Sequence, residues 1–320
     1  MLSKSENFMQ VFLGEEPDWI PVECPVNPDY GQNAYNFVTY EGALPPKSGG
    51  VDLWGTRWAG TGQEEIPYIV EYPVPSIHEL SSFDFPNIDD DVLWKKAKYQ
   101  IVTKNQTLAI GRQVSCLWER FYFLIGFDNA LMALMDEPGL VTEALTRIAD
   151  WQIQVGDHFA DIGVDAVRIS DDYGAQNNLL MAPNTWRKLI KPHLKRLVGH
   201  YKKIGIPIAL HSCGNLRLIM DDLVELGFST FNIQTNVNDL EYYQKRYGKR
   251  FRLWGGISSQ SVLASGSPDQ IRQAVVDIIS LFGINGCLIL EPDQIVALPE
   301  ENLSVFWEAA SELISITNYN

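Results

Sequence analysis

No stretch of the 320 residues reaches about 18 consecutive apolar positions, and the opening MLSKSENFMQ carries no apolar core. The sequence therefore predicts neither a membrane-spanning helix nor a secretory signal, and the expectation is a soluble, untargeted cytoplasmic protein. Positive charge is scarce: 25 Lys and Arg face 40 Asp and Glu, for a net charge of −15. That balance argues against nucleic acid or an anionic membrane as the main partner, because phosphate surfaces need a basic footprint. It also disfavours a highly anionic small substrate, unless arginines gather locally. Cysteine is sparse and scattered, since Cys24, Cys116, Cys213 and Cys287 form no C-x-x-C pair. Reduced thiols are expected, not a disulfide framework. No G-x-G-x-x-G follows a strand, no G-x-x-x-x-G-K-[ST] is present and no internal repeat is evident, so nucleotide phosphate binding has no support.

What is present is an alternation of short apolar runs and amphipathic stretches. Trp19 to Glu23, Thr107 to Gly111, Val164 to Ser170, Ile206 to Leu210, Phe228 to Ile233, Phe251 to Trp254 and Cys287 to Leu290 read as strands. Between the later ones lie helical patterns: one from Asp136 and Pro138 to Gly163, one from Asn184 to Ile204 with a kink expected at Pro192, one from about Asp239, one opened by the Ser267/Gln270 capping box, and one from about Glu300. Seven strands alternating with helices over this length favour an α/β fold of the closed (β/α)8 TIM-barrel type, one domain over residues 1–320, with an eighth strand still to be located. Residues 25–91 are rich in proline, glycine and aromatics without clean period, and are expected to form an extended amino-terminal elaboration or lid over the site.

The chain is organised around IPIALHSCGNL, residues 206–216. A buried strand there ends in His211 and Cys213, and barrel chemistry gathers at the carboxyl ends of strands. Residues two apart on an extended backbone face one side, and imidazole with thiolate is a donor pair suited to zinc. A third donor is needed. Cys287 lies at the start of its strand, three or four residues from the correct end, and reads better as a small buried apolar residue. Glu291 at that strand's end is the expected third ligand, with Asp293 and Gln294 as neighbours. Asp171 and Asp172 form a paired carboxylate after another strand, one of which could bind substrate hydroxyls, take a proton or serve as a metal ligand; Glu23 is a further possible ligand at a strand end. Glu23, Tyr173 and Gln234, beside strand ends, are candidate substrate contacts. His78, His158, His193 and His200 are expected to face solvent, and Trp54 with Trp58 to pack the lid.

The segments DDYGAQ from Asp171, APNTW from Ala182, LHSCGN from Leu210, WGGISSQSVLASGSPDQIRQAV from Trp254 and GCLILEPDQIVALPEENL from Gly286 resemble the uroporphyrinogen decarboxylase superfamily. The likeness covers roughly Val164 onward and, more loosely, DLWGTRWAG and FDFP. It is closer to the cobalamin-dependent methyltransferase branch than to the decarboxylases. That resemblance implies a (β/α)8 barrel in which zinc, held by His-x-Cys and a later Cys, activates a thiol or a methyl donor for exchange with a corrinoid carried by a partner protein. His211 and Cys213 map onto the first two ligands. The later cysteine maps onto Gln294, in a shortened loop. The decarboxylases resemble one another in an arginine-bearing R-Q-A-G-R motif, whereas this chain has CPVNPDYGQNAY there, with no arginine. The expected function is therefore a zinc-dependent, corrinoid-linked methyltransferase component acting on a small substrate. Uroporphyrinogen decarboxylase or a related cofactor-free decarboxylase, and a non-catalytic ligand-binding barrel, are the alternatives.

Overall fold

In the computed structural model, which describes residues 1–27, 30, 33–60 and 67–317, the chain begins with a helix that serves as a plug. Ser3 and Glu6 form a reciprocal capping box, and α1 (Lys4–Leu13) runs to Gly14 in the left-handed conformation. Gly14 has φ 83, in the left-handed region that favours glycine, and a Cβ there would also press on the Arg252 guanidinium. The helix covers the amino-terminal ends of the barrel strands. Ser5 Oγ donates to Ala34 O, and Thr230 Oγ1 donates to Phe12 O. Phe8 meets the rings of Tyr35 and Trp254 at 5.2 and 5.5 Å. Asn7 ties down the following turn by accepting from Asp18 N and donating to Trp19 O.

Seven strands form one parallel sheet in the order β1 (Tyr35–Val38), β5 (Leu108–Gln113), β6 (Ala166–Ser170), β7 (Ile208–Ser212), β8 (Thr230–Ile233), β9 (Arg252–Ile257) and β10 (Leu288–Pro292). The eighth place belongs to the WIPVE run, which pairs in parallel with β10 at Val22 and Leu290. Leu290 N donates to Pro21 O and Glu23 N to Leu290 O. Across the remaining seam, the Glu23 carboxylate accepts from Ala34 N at 2.8 Å. The fold is an α/β barrel of the (β/α)8 type. The strand missing from the sequence reading is β1, hidden in YNFV within the irregular amino-terminal stretch.

Between β1 and β5, β2 (Gly50–Val51), β3 (Arg57–Ala59) and β4 (Tyr68–Glu71) make a small antiparallel sheet, followed by α2 (Asp91–Thr103). The expected lid thus holds a barrel strand and an outer sheet; Pro28, Gly31 and the rest of 28, 29, 31, 32 and 61–66 lie outside the described residues. Trp54 is buried against Phe85, Trp151 and the Arg120 guanidinium, and Trp58 donates its indole N–H to Asp52. Both tryptophans pack this outer layer.

After β5 come α3 (Trp118–Ile125), α4 (Phe127–Asp136) and the long α5 (Pro138–Ile162), which stops at left-handed Gly163. The region expected as one kinked helix is two, α6 (Pro183–Leu189) and α7 (Lys191–Ile204), because Pro192 at the start of the second has no N–H to continue the first. Then follow α8 (Met220–Leu226), α9 (Leu240–Tyr247), α10 (Pro268–Phe282) with the Ser267/Gln270 capping box formed, and α11 (Glu300–Thr317). His193 on α7 is buried, contrary to the expectation of solvent exposure, and His158 stacks on Trp94 at 4.7 Å.

Side-chain alternation divides the core. Val167, Ile169, Leu210, Phe231 and Leu253 face the helices, whereas Ile110, Ala166, Ala209, Trp254 and Ile289 fill the barrel's lower interior with the α1 phenylalanines. Above that apolar layer the inward positions become polar, and the site begins.

Candidate metal centre

His211 occupies the second-to-last position of β7 and Cys213 follows the strand, both half-buried on the inward side. Their backbone is held by close contact between two loops. A Cβ on left-handed Gly214 would lie 2.1 Å from the Gly174 carbonyl carbon. Gly174 N donates to Cys213 O and Asn215 N to Ala175 O. This zipper brings the loop after β6 against the loop after β7, so that Asp172 meets Cys213: Cys213 N donates to Asp172 Oδ1 at 2.7 Å.

Donor atoms of Asp172, His211 and Cys213 all lie within 4.8 Å of one another. Cys213 Sγ is 3.6 Å from His211 Nε2, and Nε2 is 3.9 Å from Asp172 Oδ1. Nitrogen and sulfur bound to one tetrahedral zinc at about 2.05 and 2.3 Å would be separated by about 3.6 Å. The His–Cys spacing therefore fits a shared ion.

The imidazole is also in the form a metal needs. Asn232 donates its amide N–H groups to Trp254 O and Asp293 O, which orients its Oδ1 as the acceptor facing His211 Nδ1 at 2.7 Å. Nδ1 must then carry the proton, leaving the Nε2 lone pair directed at the site. Burial holds His211 in its neutral form, lowering its pKa to about 4; Asp172 opposes and Arg168 reinforces this. Burial, followed by the charge of Asp172, raises the Cys213 thiol above its ordinary range. Gln294, at the position where the resemblance places a cysteine, donates its amide N–H to Cys213 Sγ at 3.4 Å.

Several expected residues stand elsewhere. Glu291 does not join the His–Cys group: its carboxylate accepts from Tyr35 Oη at 2.9 Å, and burial raises its pKa to about 7. Asp293 is committed to Ser259 N and to Thr235 N and Oγ1. Cys287 is buried at the strand's opposite end and donates to Asn285 O. Asp171 accepts from Leu117, Trp118 and Glu119 N–H groups at the start of α3, which leaves it a helix-anchoring task. Tyr173 is fully buried, edge-on to Trp186. Gln234 accepts from Gly214 N and braces the loop, while Glu23 closes the barrel seam.

Residues the sequence reading passed over complete the surroundings. Glu119 arrives with α3 and accepts from Asp172 N at 3.3 Å. Burial and then the charges of Asp172 and Asp171 hold it well above the usual carboxylate range. Tyr122 lies one helical turn on. Ser115, just before α3, has φ 50, the only positive value outside glycine among the described residues, and bends the chain so that three successive N–H groups reach Asp171. No spacing rule marks Glu119, since its place depends on that bend.

Comparison with known proteins gives a consistent picture. The family described as uroporphyrinogen decarboxylase (URO-D) matches residues 58–313. The methylcobamide:CoM methyltransferase MtaA of Methanosarcina barkeri is 27% identical over 149 residues, covering 47% of this chain and 42% of that protein. The uroporphyrinogen decarboxylase of Gloeobacter violaceus is 26% identical over 198 residues, covering 59% and 54%. The chain thus spans about half the length of the curated relatives it matches. Among solved structures, a methyltransferase from Methanosarcina mazei superposes with a TM-score of 0.76 at 17% identity over 98% of this chain and 99% of that one, a likeness of fold.

Proposed function

The chain belongs to the uroporphyrinogen decarboxylase family, and on that premise we propose that it is a cytoplasmic, zinc-dependent methyltransferase component that moves a methyl group between a small substrate and a separate corrinoid protein. The observation that carries this reading is the Asp172–His211–Cys213 cluster, with the imidazole tautomer fixed by Asn232. The Methanosarcina barkeri relative, whose name specifies methylcobamide as a substrate, supports the corrinoid partner. No described helix is long and apolar enough to cross a membrane.

His211 Nε2, Cys213 Sγ and Asp172 Oδ1 would hold the ion. Zinc would supply Lewis acidity, lowering the pKa of a bound thiol or polarising a methyl–heteroatom bond. Asn232 keeps the imidazole oriented, and Gln294 offers an N–H to the Cys213 sulfur, which tempers its charge. Glu119, hydrogen-bonded to Asp172 N, places a second carboxyl beside the reacting region. That group can pass a proton to or from the heteroatom that gains or loses the methyl group.

His211→Ala is the direct test: metal content and methyl transfer to a corrinoid acceptor should both be abolished, and full activity in the variant would refute the assignment. A second reading, cofactor-free decarboxylation, draws on the match to the Gloeobacter violaceus enzyme. Turnover of a porphyrinogen by metal-free protein would establish that reading instead.

A further inference from the structure

The scarce positive charge of the chain is not spread evenly. Residues 187–252 hold 13 of the 25 Lys and Arg but only 5 of the 40 Asp and Glu, so this segment carries +8 and the rest of the chain −23. It folds into the end of α6, the helices α7, α8 and α9 and the strands between them. Lys191 on α7 reaches Asp222 and Glu225 on α8 at 2.8 and 2.7 Å, and Asp221 on α8 accepts from Arg246 and Tyr247 on α9. The three helices therefore form one continuous flank of the barrel, from Arg217 in the loop after Cys213 to Lys249 and Arg250 before β9.

Four of the five acids on this flank are engaged within it: Asp221 by Arg246, Asp222 by Arg187 and Lys191, Glu225 by Lys191 and Asp239 by Arg217. Lys188, Lys195, Lys202, Lys203, Lys245 and Arg250 are exposed and reach no carboxylate among the described residues. Like charges gathered on one surface repel over about 10 Å at moderate ionic strength, and nothing within the fold offsets that repulsion. Arg250 also lines a cleft of about 430 Å³ between α8 and α9, together with Asp221, Val224, Glu225, Arg246 and Tyr247. Both carboxylates of the cleft are already met, Asp221 by the Arg246 fork and the Tyr247 hydroxyl, Glu225 by Lys191. Its uncompensated charge is the Arg250 guanidinium.

We propose that the α7–α9 flank docks an acidic segment of a protein partner, with the Arg250 cleft receiving one of its carboxylates. A guanidinium fork suits a carboxylate, and the lysines around it complement a run of negative charge. A protein is favoured over a nucleic acid. Bases bind single-stranded sites by stacking on open aromatic rings, whereas here Tyr201, Tyr243 and Tyr247 are buried and the Tyr242 ring lies under the Arg217 guanidinium at 3.0 Å. The carboxylates of α8 and α9 interrupt the track that a phosphate backbone would follow, and the −23 carried by the rest of the chain repels a long polyanion. A short acidic segment avoids both. This surface lies outside the metal centre, and its partner is independent of the methyl-transfer reading.

Fluorescence anisotropy of a labelled oligoglutamate peptide, titrated with the full chain, tests this. The peptide should bind at low ionic strength, and its affinity should fall about tenfold or more as added salt shortens the Debye length from about 30 to about 8 Å. Arg250→Gln should weaken binding about two- to fivefold, and Lys195→Gln/Lys202→Gln/Arg250→Gln together about tenfold or more. None of these side chains is paired, so the thermal midpoint should stay where it is. Lys95→Gln/Lys96→Gln on α2, outside the flank, should bind the peptide as the wild type does. Absence of binding at low ionic strength, unchanged binding by the triple variant, or equal weakening by the α2 pair would overturn the docking surface. Tighter binding of an oligothymidylate of matched charge than of the peptide would overturn the protein partner and assign the flank to nucleic acid.

Discussion

Asn232 acts on the site without donating to it. Its Oδ1 fixes the His211 tautomer, so Asn232→Ala should weaken zinc binding by about 10–100-fold while His211 and Cys213 remain in place. Competition with a chromogenic chelator would measure this, and unchanged affinity would show that the tautomer needs no such support. Gln294 offers the complementary experiment. Its amide N–H lies 3.4 Å from Cys213 Sγ, so Gln294→Cys would place a second sulfur beside the first and should tighten zinc binding. His211 and Cys213 are legible in the sequence because strand alternation and a strand end are local features. That Asp172 stands beside them, with Glu119 next to it, is not, since this depends on which strands lie side by side and on the bend at Ser115. Glu291 has the right position in its strand for a ligand; it stands apart because Tyr35, from the strand the sequence reading missed, accounts for its carboxylate.

The elements that build the site are joined by loops with little tolerance. Asp171 satisfies three successive N–H groups at the start of α3. Removing its carboxylate leaves those donors buried and unpaired, and Asp171→Ala should cost about 3 kcal/mol or more. It should also displace Glu119, which reaches Asp172 only through that anchor. Gly214→Ala asks a left-handed residue to carry a Cβ against the Gly174 backbone. We expect a loss of roughly 2 kcal/mol or more in thermal or denaturant unfolding, with reduced zinc content. The long helices show their caps and apolar stripes in the sequence: α5, α10 and α11 begin where the pattern predicts. The short β1 escapes it, because four residues give too little alternation, whereas α1 carries a Ser3/Glu6 capping box and an apolar face that the sequence reading did not use.

For the barrel as a whole, the weak seam lies between the Val22 segment and β1, where a side chain bridges the gap. Burial raises Glu23 to about 8, its bond to Ala34 N opposing this and the charge of Glu291 reinforcing it. Burial likewise raises Glu291 to about 7. With folded values above unfolded ones, the native state binds more protons across the interval, so stability is full below pH about 4.5 in this respect and declines as pH rises toward 8. Melting midpoints should therefore fall between about pH 5 and 8 and level off above that, and Glu23→Gln, which keeps an oxygen for Ala34 N, should flatten that decline. An unchanged slope would show that Glu23 does not set this pH dependence. The alternation of strands and helices made the barrel class readable from the chain. The Glu23 carboxylate that bridges the last seam of that closed barrel was not, because a side chain standing in for a ladder has no sequence signature.

The metal centre is tested by the zinc content of the full chain purified without chelator, measured by mass spectrometry beside Cys213→Ala and Asp172→Ala. About one zinc per chain is expected, lost in Cys213→Ala and weakened in Asp172→Ala. A wild-type protein that takes up no zinc even when it is supplied, or a Cys213→Ala variant that retains it, would contradict the assignment of His211, Cys213 and Asp172 as the metal centre.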